Sequence, residues 1–357
     1  MSQEIGHGRS LRRIAIMVGA GHVPGINAVI MGAARAAGIL GWEMVGIRDG
    51  FDGLLYPERY PDGGLLTLDT KLIENLDPSA AGLLGQAPRV DPFHVRTVNE
   101  DDMVEEVDMS DELIKKLHAE NIDALIAVVG GRGLTIMYKL HRKGLKVVCV
   151  PRSIENELAG TMVSFGFNSA LSTTIELLDR VREAARAARK IGVVEVLGEQ
   201  AGWIALQAGI AVGADAVLIP EIPYDLQAVA SRLQDKVTVR RPFGLVVVAE
   251  GAKQIVGDGK PEEKASSLKA SLSPLATGDA SDHVIRRSGQ AAAAVANGLQ
   301  LQLAEETFPM VMGPWVRGGA PTAVDRQLAM AYGVGAIQAV KDGSYGSMVA
   351  FIPVSYT

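Results

Sequence analysis

The sequence predicts an α/β protein of two domains, each with a largely parallel sheet flanked by helices. Three observations carry this. Short, continuously apolar runs recur along the chain, they alternate with longer segments of helical periodicity, and glycine-rich turns close the early runs. Runs apolar at every position belong to strands buried on both faces, which is the signature of a parallel sheet covered by helices. A chain of 357 residues exceeds one small core and suits two domains of ordinary size.

Taken in order, Ile14-Ala15-Ile16-Met17-Val18 is the first strand, closed by a glycine-rich turn and followed by a helix starting near Ile26. Ala124 to Val129 is a second clear strand, with a helix after Gly133. Strands at Lys146 to Val150, Gly192 to Leu197, Ala216 to Ile219 and Gly244 to Ala249 follow. A long amphipathic helix spans Ala170 to Arg189, with Leu171, Ile175, Leu178 and Val181 at helical spacing. Two stretches interrupt the alternation. Asn99 to Asp108 (NEDDMVEEVD) is acidic, and Gly257 to Asp282 is rich in Gly, Ser, Lys and Glu. Each is either a solvated loop or insertion, or a surface for a partner or effector.

Composition bounds the function. Apolar content of 48% and charged content of 21% belong to a folded soluble protein. A net charge of −6 argues against nucleic acid as a partner, because backbone phosphates need a positive surface. No apolar run reaches a membrane span, and the start MSQEIGHGRSLRR lacks an apolar signal core, so the expected setting is cytoplasmic and off the membrane. The single cysteine, Cys149, lies in a strand run and is expected to be buried; it excludes an intrachain disulfide, in keeping with a reducing compartment. The six histidines are scattered without the short spacings that put two metal ligands on one face. A magnesium ion held by carboxylates stays open on this ground.

The chemistry is expected in the turns. Gly19-Ala20-Gly21-His22-Val23-Pro24-Gly25 follows the first strand and opens a helix. It is either a tight turn with no ligand or a place where backbone N–H groups meet an anion. It has neither the spacing of a dinucleotide site nor the Gly-Lys-Ser/Thr ending of a P-loop, and His22 is a turn residue or a catalytic one. Val129-Gly130-Gly131-Arg132-Gly133 repeats the arrangement after the second strand, and two such turns at one sheet edge suit a polyphosphate. Pro151-Arg152-Ser153-Ile154-Glu155-Asn156-Glu157 closes the third strand; Glu155 and Glu157 are either solvated acids or candidates for a general base or metal ligand. On the long helix, Arg180, Arg182, Arg186 and Arg189 suit a solvated face, whereas Lys190 at its end is the cation placed to reach an anion.

These elements, in this order, resemble the phosphofructokinase family from about Arg13 to Ala350. The family's GGDAPGxN turn is matched by Ala20 to Asn27, its GGDGT or GGDDT by Gly130 to Leu134, and its PGTIDND or PKTIDND by Pro151 to Glu157. Gly166 to Ala170 is similar to GFxTA, Val194 to Gly198 to VEVMG, Pro220-Glu221 to PE, and Arg317 to Pro321 with Asp325-Arg326 to RGGxPxxxDR. The resemblance implies a larger domain over 11–166 plus 317–357 on the donor-phosphate side, and a smaller one over 167–316 on the sugar-phosphate side. It implies transfer of a phosphoryl group from ATP or pyrophosphate to the 1-hydroxyl of fructose 6-phosphate, a step of glycolysis, by a dimer or tetramer.

Carried over position by position, the resemblance implies a changed site. Donor phosphates would meet Gly21, Gly131, Arg132, Gly133 and Arg152; the sugar phosphate would meet Ser153, Asn156, Lys190, Gly198, Glu221 and Arg317; Glu155 and Glu157 would act on the sugar hydroxyl. The family's magnesium aspartate is Arg132 here, which leaves no metal ligand to assign. Its catalytic aspartate is Glu155, its transition-state arginine Glu199, and in the sugar pocket an arginine is Phe308 and a histidine Pro314. Gly133 matches ATP users, whereas Arg152, where pyrophosphate users carry lysine, tilts toward the smaller donor. The chain stops at Thr357 soon after Met348-Val349-Ala350, so the family's C-terminal segment is expected to be shortened.

Phosphoryl transfer is mostly positioning and charge neutralisation. Loss of one transition-state donor costs about 3–4 kcal/mol, and a misplacement of ~1 Å about 100-fold. Three expectations follow. The first is a protein that binds sugar phosphate and polyphosphate with catalysis weak or lost, alone or as a regulatory subunit of a hetero-oligomer with an active paralogue. The second is an active phosphotransferase using Arg132 and Arg152 as a clamp on pyrophosphate or another donor. The third is an enzyme for a related phosphorylated substrate.

Overall fold

The computed structural model describes residues 12–80, 82–85, 91–98, 103–256, 260–261 and 289–352. The chain divides into two compact units. The first comprises Met1–Ser153, Leu158–Gly166 and Ala323–Thr357; the second comprises Ile154–Glu157 and Phe167–Thr322. The chain thus enters the second unit for four residues directly after Ser153, and returns to the first at Ala323, six residues beyond the boundary implied at Arg317.

The first unit is built on a seven-stranded sheet in the order Ser347–Met348, Val147–Ser153, Ala124–Val129, Arg13–Val18, Glu43–Ile47, Leu65–Thr67, with Phe165–Gly166 paired to the far end of Val147–Ser153. Every pairing is parallel except that of Leu65–Thr67, an antiparallel edge strand. The continuous apolar runs explain this: Ala15 and Met17 pack with Leu125 and Ala127 against Leu113, Leu117, Ile136, Met137 and Leu140 of helices Ser110–Ala119 and Gly131–Arg142. Ile14, Ile16 and Val18, equally buried, face the other way by the two-residue alternation of a strand. On that side lie helices Ile26–Ile39 and Ala323–Lys341, drawn close by Gly32 and Gly333: a Cβ on Gly32 would lie 2.2 Å from the Met330 carbonyl oxygen.

The second unit holds a four-stranded parallel sheet in the order Ala216–Leu218, Gly244–Ala249, Ile191–Val196, Thr307–Val311. Ile191, Val193, Val246 and Val248 pack with Leu226, Val229 and Leu233 of helix Leu226–Lys236 and with Val295 and Leu299 of helix Gln290–Gln302. Glu195, buried within its strand, accepts the N–H groups of Gly289 and Ala292 and so caps the N-terminus of that last helix.

Several expectations change. The helix after the second glycine turn begins at Gly131 rather than after Gly133, because Gly130 already serves as its N-cap. The third strand runs on to Ser153, where pairing with Phe165–Gly166 extends it. The long helix starts at Phe167, and its buried face is Ala170, Thr174, Leu178, Val181 and Ala185, with Leu171 and Ile175 at its margin. The acidic run is solvated but not a plain loop: Val104–Val107, exposed throughout, pairs antiparallel with Val95–Val98. Residues 99–102, and Gly257 to Asp282 apart from Lys260–Pro261, lie outside the described residues; Lys260–Pro261 pairs with Ile255–Val256. Cys149 is buried in its strand as expected, and burial pushes its thiol up to about 12.

Candidate functional site

In the first unit the two glycine turns follow neighbouring strands. Gly19 ends the first strand with its N–H on the Val128 carbonyl, at 2.9 Å. Gly21 is exposed with φ 88°, a left-handed geometry that glycine takes without strain. Beneath this turn lies Arg152, only 5% exposed, whose guanidinium donates to the carbonyls of Ala20 and Gly21. The structure therefore commits Arg152 to the turn itself, rather than presenting it to solvent. Its neighbour Ser153 is also buried at the strand end, and its carbonyl accepts the Ser164 hydroxyl at 3.3 Å.

The second turn opens helix Gly131–Arg142. Its N-cap, Gly130, offers no side-chain cap, so the first-turn N–H groups and the positive helix end favour an anion. Arg132, in that first turn, has a side chain 67% exposed and lies 3.9 Å from the Asp91 carboxylate. A cation there opposes the helix dipole, a cost of about 0.3–1 kcal/mol that a bound anion would reverse. The turn thus carries a guanidinium where a metal would need a carboxylate. Among the described residues no group of three or more His, Cys, Asp or Glu is gathered to hold a metal ion. Gly133 has a packing cause: a Cβ there would lie 2.6 Å from that of Val129. Its identity is accounted for without any appeal to the donor.

The second unit gathers an acidic corner. Glu155 has a side chain 17% exposed; one carboxylate oxygen is 3.5 Å from the Arg317 guanidinium and the other accepts the Glu199 N–H at 3.4 Å. Burial, then the charge of Glu157, raise its carboxyl to about 7; Arg317 opposes this, Glu250 adds to it, and the Glu199 N–H opposes it weakly. Asn156, between the two acids, has φ 55°, which asparagine tolerates better than most residues and which turns the chain between them. Arg317 is presented by a short 3-10 turn, Gly313–Arg317, in which Gly313 supplies φ 47° and Pro314 occupies the first turn. Pro314 thus has a backbone role. Phe308 packs on Gly192, where a Cβ would come within 3.2 Å of the ring.

Gly198, with φ 146°, directs its N–H to Glu250 at 3.5 Å, and Glu221 accepts the Gly202 N–H at 2.9 Å. Glu199 itself is exposed. The corner therefore brings Glu155, Glu157, Gly198 and Arg317 together. It does not include Lys190, which precedes the strand that Gly198 follows; six strand residues at about 3.3 Å each put roughly 20 Å between those ends. Lys190 instead pairs with Glu306 at 2.6 Å. Glu250 escaped the sequence reading, although a buried acid between the end of an apolar strand and Gly251 was a usable signal.

A family model described as Phosphofructokinase matches residues 13–340. The ATP-dependent 6-phosphofructokinase of Chloroflexus aurantiacus is 35% identical over 346 residues, covering 95% of this chain and 87% of that one. The pyrophosphate–fructose 6-phosphate 1-phosphotransferase of Amycolatopsis methanolica is 36% identical over 340 residues, covering 95% and 90%. Among solved structures, phosphofructokinase from Saccharomyces cerevisiae superposes with a TM-score of 0.71 at 26% identity over 93% of this chain; the match spans 42% of the yeast chain. A pyrophosphate-dependent phosphofructokinase from Marinobacter aquaeolei superposes with a TM-score of 0.67 at 21% identity, a likeness of fold. No described helix is long and apolar enough to cross a membrane.

Proposed function

We propose, for a chain that belongs to the phosphofructokinase family, that it binds a sugar phosphate and a polyphosphate donor while phosphoryl transfer between them is weak or lost. The observation that carries this reading is the charge of the acidic corner. Glu155 pairs with the Arg317 guanidinium and is acted on by the charges of Glu157 and Glu250, and Glu199 adds a carboxylate where the family resemblance implies a transition-state arginine. A moving phosphoryl group gathers negative charge, so acids there raise the barrier that an arginine would lower. At the donor end, Arg132 on an uncapped helix N-terminus suits a polyphosphate met directly by a guanidinium, and does not suit a magnesium ion held by that turn. Gly21, Gly131 and Gly133 would let backbone approach the donor; Ser153, Asn156, Gly198, Glu221 and Arg317 would face the sugar phosphate. Lys190 would serve a neighbouring subunit of a dimer or tetramer, or of a pair with an active paralogue.

The test is incubation of the purified chain with fructose 6-phosphate and either pyrophosphate or ATP, with and without magnesium. The expected result is saturable binding of both ligands with turnover at least about 100-fold below that of the Glu199→Arg, Arg132→Asp double variant, the scale of one lost transition-state donor. Ready turnover by the unaltered chain, matching that of a clearly active double variant, overturns the reading. One observation favours an active phosphotransferase instead: the Glu155 carboxyl near 7 is poised as a general base at neutral pH. That reading expects a rate rising through pH 7 and abolished by Glu155→Gln.

A further inference from the structure

The two arginines of the donor turns stand in opposite environments. Arg132 reaches solvent, whereas Arg152 is withdrawn beneath the first turn and hydrogen-bonds two successive main-chain carbonyls, those of Ala20 and Gly21. The peptide bonds here are trans, and in a trans peptide the carbonyl and the following N–H point in opposite directions. Drawing both carbonyls down onto Arg152 therefore directs the N–H groups of Gly21 and His22 to the opposite side of the turn, where Gly21 is exposed. Successive N–H groups directed one way form an anion-binding concavity. The planar fork of a guanidinium can hold two carbonyls at a fixed separation, which the point charge of a lysine cannot.

We propose that Arg152 is a positioning residue: it braces the first glycine turn so that its N–H groups face a pyrophosphate-class anion, and Arg132 on the second turn is the cation that meets that anion. This rests on the donor-binding reading above and divides the work between the two arginines, one orienting backbone and one touching phosphate. It also gives the arginine at 152 a specific role, since its fork can hold two carbonyls together, whereas a lysine acts as a point charge.

The experiment is an NMR titration of the isotope-labelled full chain with inorganic pyrophosphate. The Gly21 and His22 amide signals and the Arg132 side-chain signal are expected to move, and the Arg152 guanidinium signal to stay in place. Movement of Arg152 with a stationary Gly21 amide overturns the positioning role while leaving donor binding intact. No movement of any of these signals overturns donor binding, and this inference with it. In parallel, Arg152→Lys is expected to weaken pyrophosphate binding as much as Arg152→Gln does, by roughly tenfold or more, the size of one charge-assisted hydrogen bond. Arg132→Lys is expected to retain most of the affinity. Rescue by lysine at 152 overturns the proposal. Should the 152 variants fail to fold, the titration of the unaltered chain decides alone.

Discussion

Replacing Glu155 by glutamine should stabilise the fold as pH rises. The folded carboxyl is raised from 4.5 to about 7, chiefly by burial and then by Glu157. A raised carboxyl contributes stability that is complete below pH 4.5 and is lost as pH rises through 7, because the fold then holds a charge that the unfolded chain holds more easily. The cost of ionisation amounts to about 1 kcal/mol at pH 5 and about 3 kcal/mol at pH 8, at ~1.4 kcal/mol per pH unit between the two values. Glutamine keeps the shape and never ionises. Equilibrium urea unfolding at pH 5 and pH 8 should therefore show Glu155→Gln gaining about 2–3 kcal/mol on the unaltered chain between the two conditions. Any constant offset from the new amide's contacts cancels in that difference. A pH-independent difference, or one that shrinks as pH rises, would refute the idea that burial holds this carboxyl neutral.

Other residues give equally direct tests. Gly32→Ala places a Cβ against the Met330 backbone, which cannot swing aside, so thermal unfolding should report a loss of about 1–3 kcal/mol; an unchanged midpoint would exclude so close a helix contact. Cys149, with its thiol pushed up to about 12, should resist alkylation at neutral pH in the folded chain and react fully in denaturant, read by mass spectrometry. Asp215→Ala removes the acceptor of the buried Leu245 N–H and a partner of Arg241, and should cost about 1–3 kcal/mol by urea unfolding.

Much of the frame was legible in the residues. Strands such as Ala124–Val129 and Gly244–Ala249 appear at the expected bounds, because a fully buried parallel strand must be apolar at every position. Differences fell where a pairing partner overrides the pattern of the segment itself. Val104–Val107 is acidic and exposed, yet pairing with Val95–Val98 makes it a strand. Val147–Ser153 outlasts its apolar run because Phe165–Gly166 supplies a partner.

The site divides along the same line. By itself the sequence determined which chemical groups stand at the turns, and through ordered motifs the family, since both depend on residue identity along the chain. Only the tertiary structure decided what those groups do. Arg152 turns inward to carbonyls more than 130 positions away in sequence, whereas Arg132 stays in solvent. Glu155 becomes a near-neutral acid through burial and through Glu157, Arg317 and Glu250. Lys190 is held at the opposite end of a strand from the acids. A side chain's direction, charge state and partner follow from what the fold packs around it, and no local spacing encodes that environment.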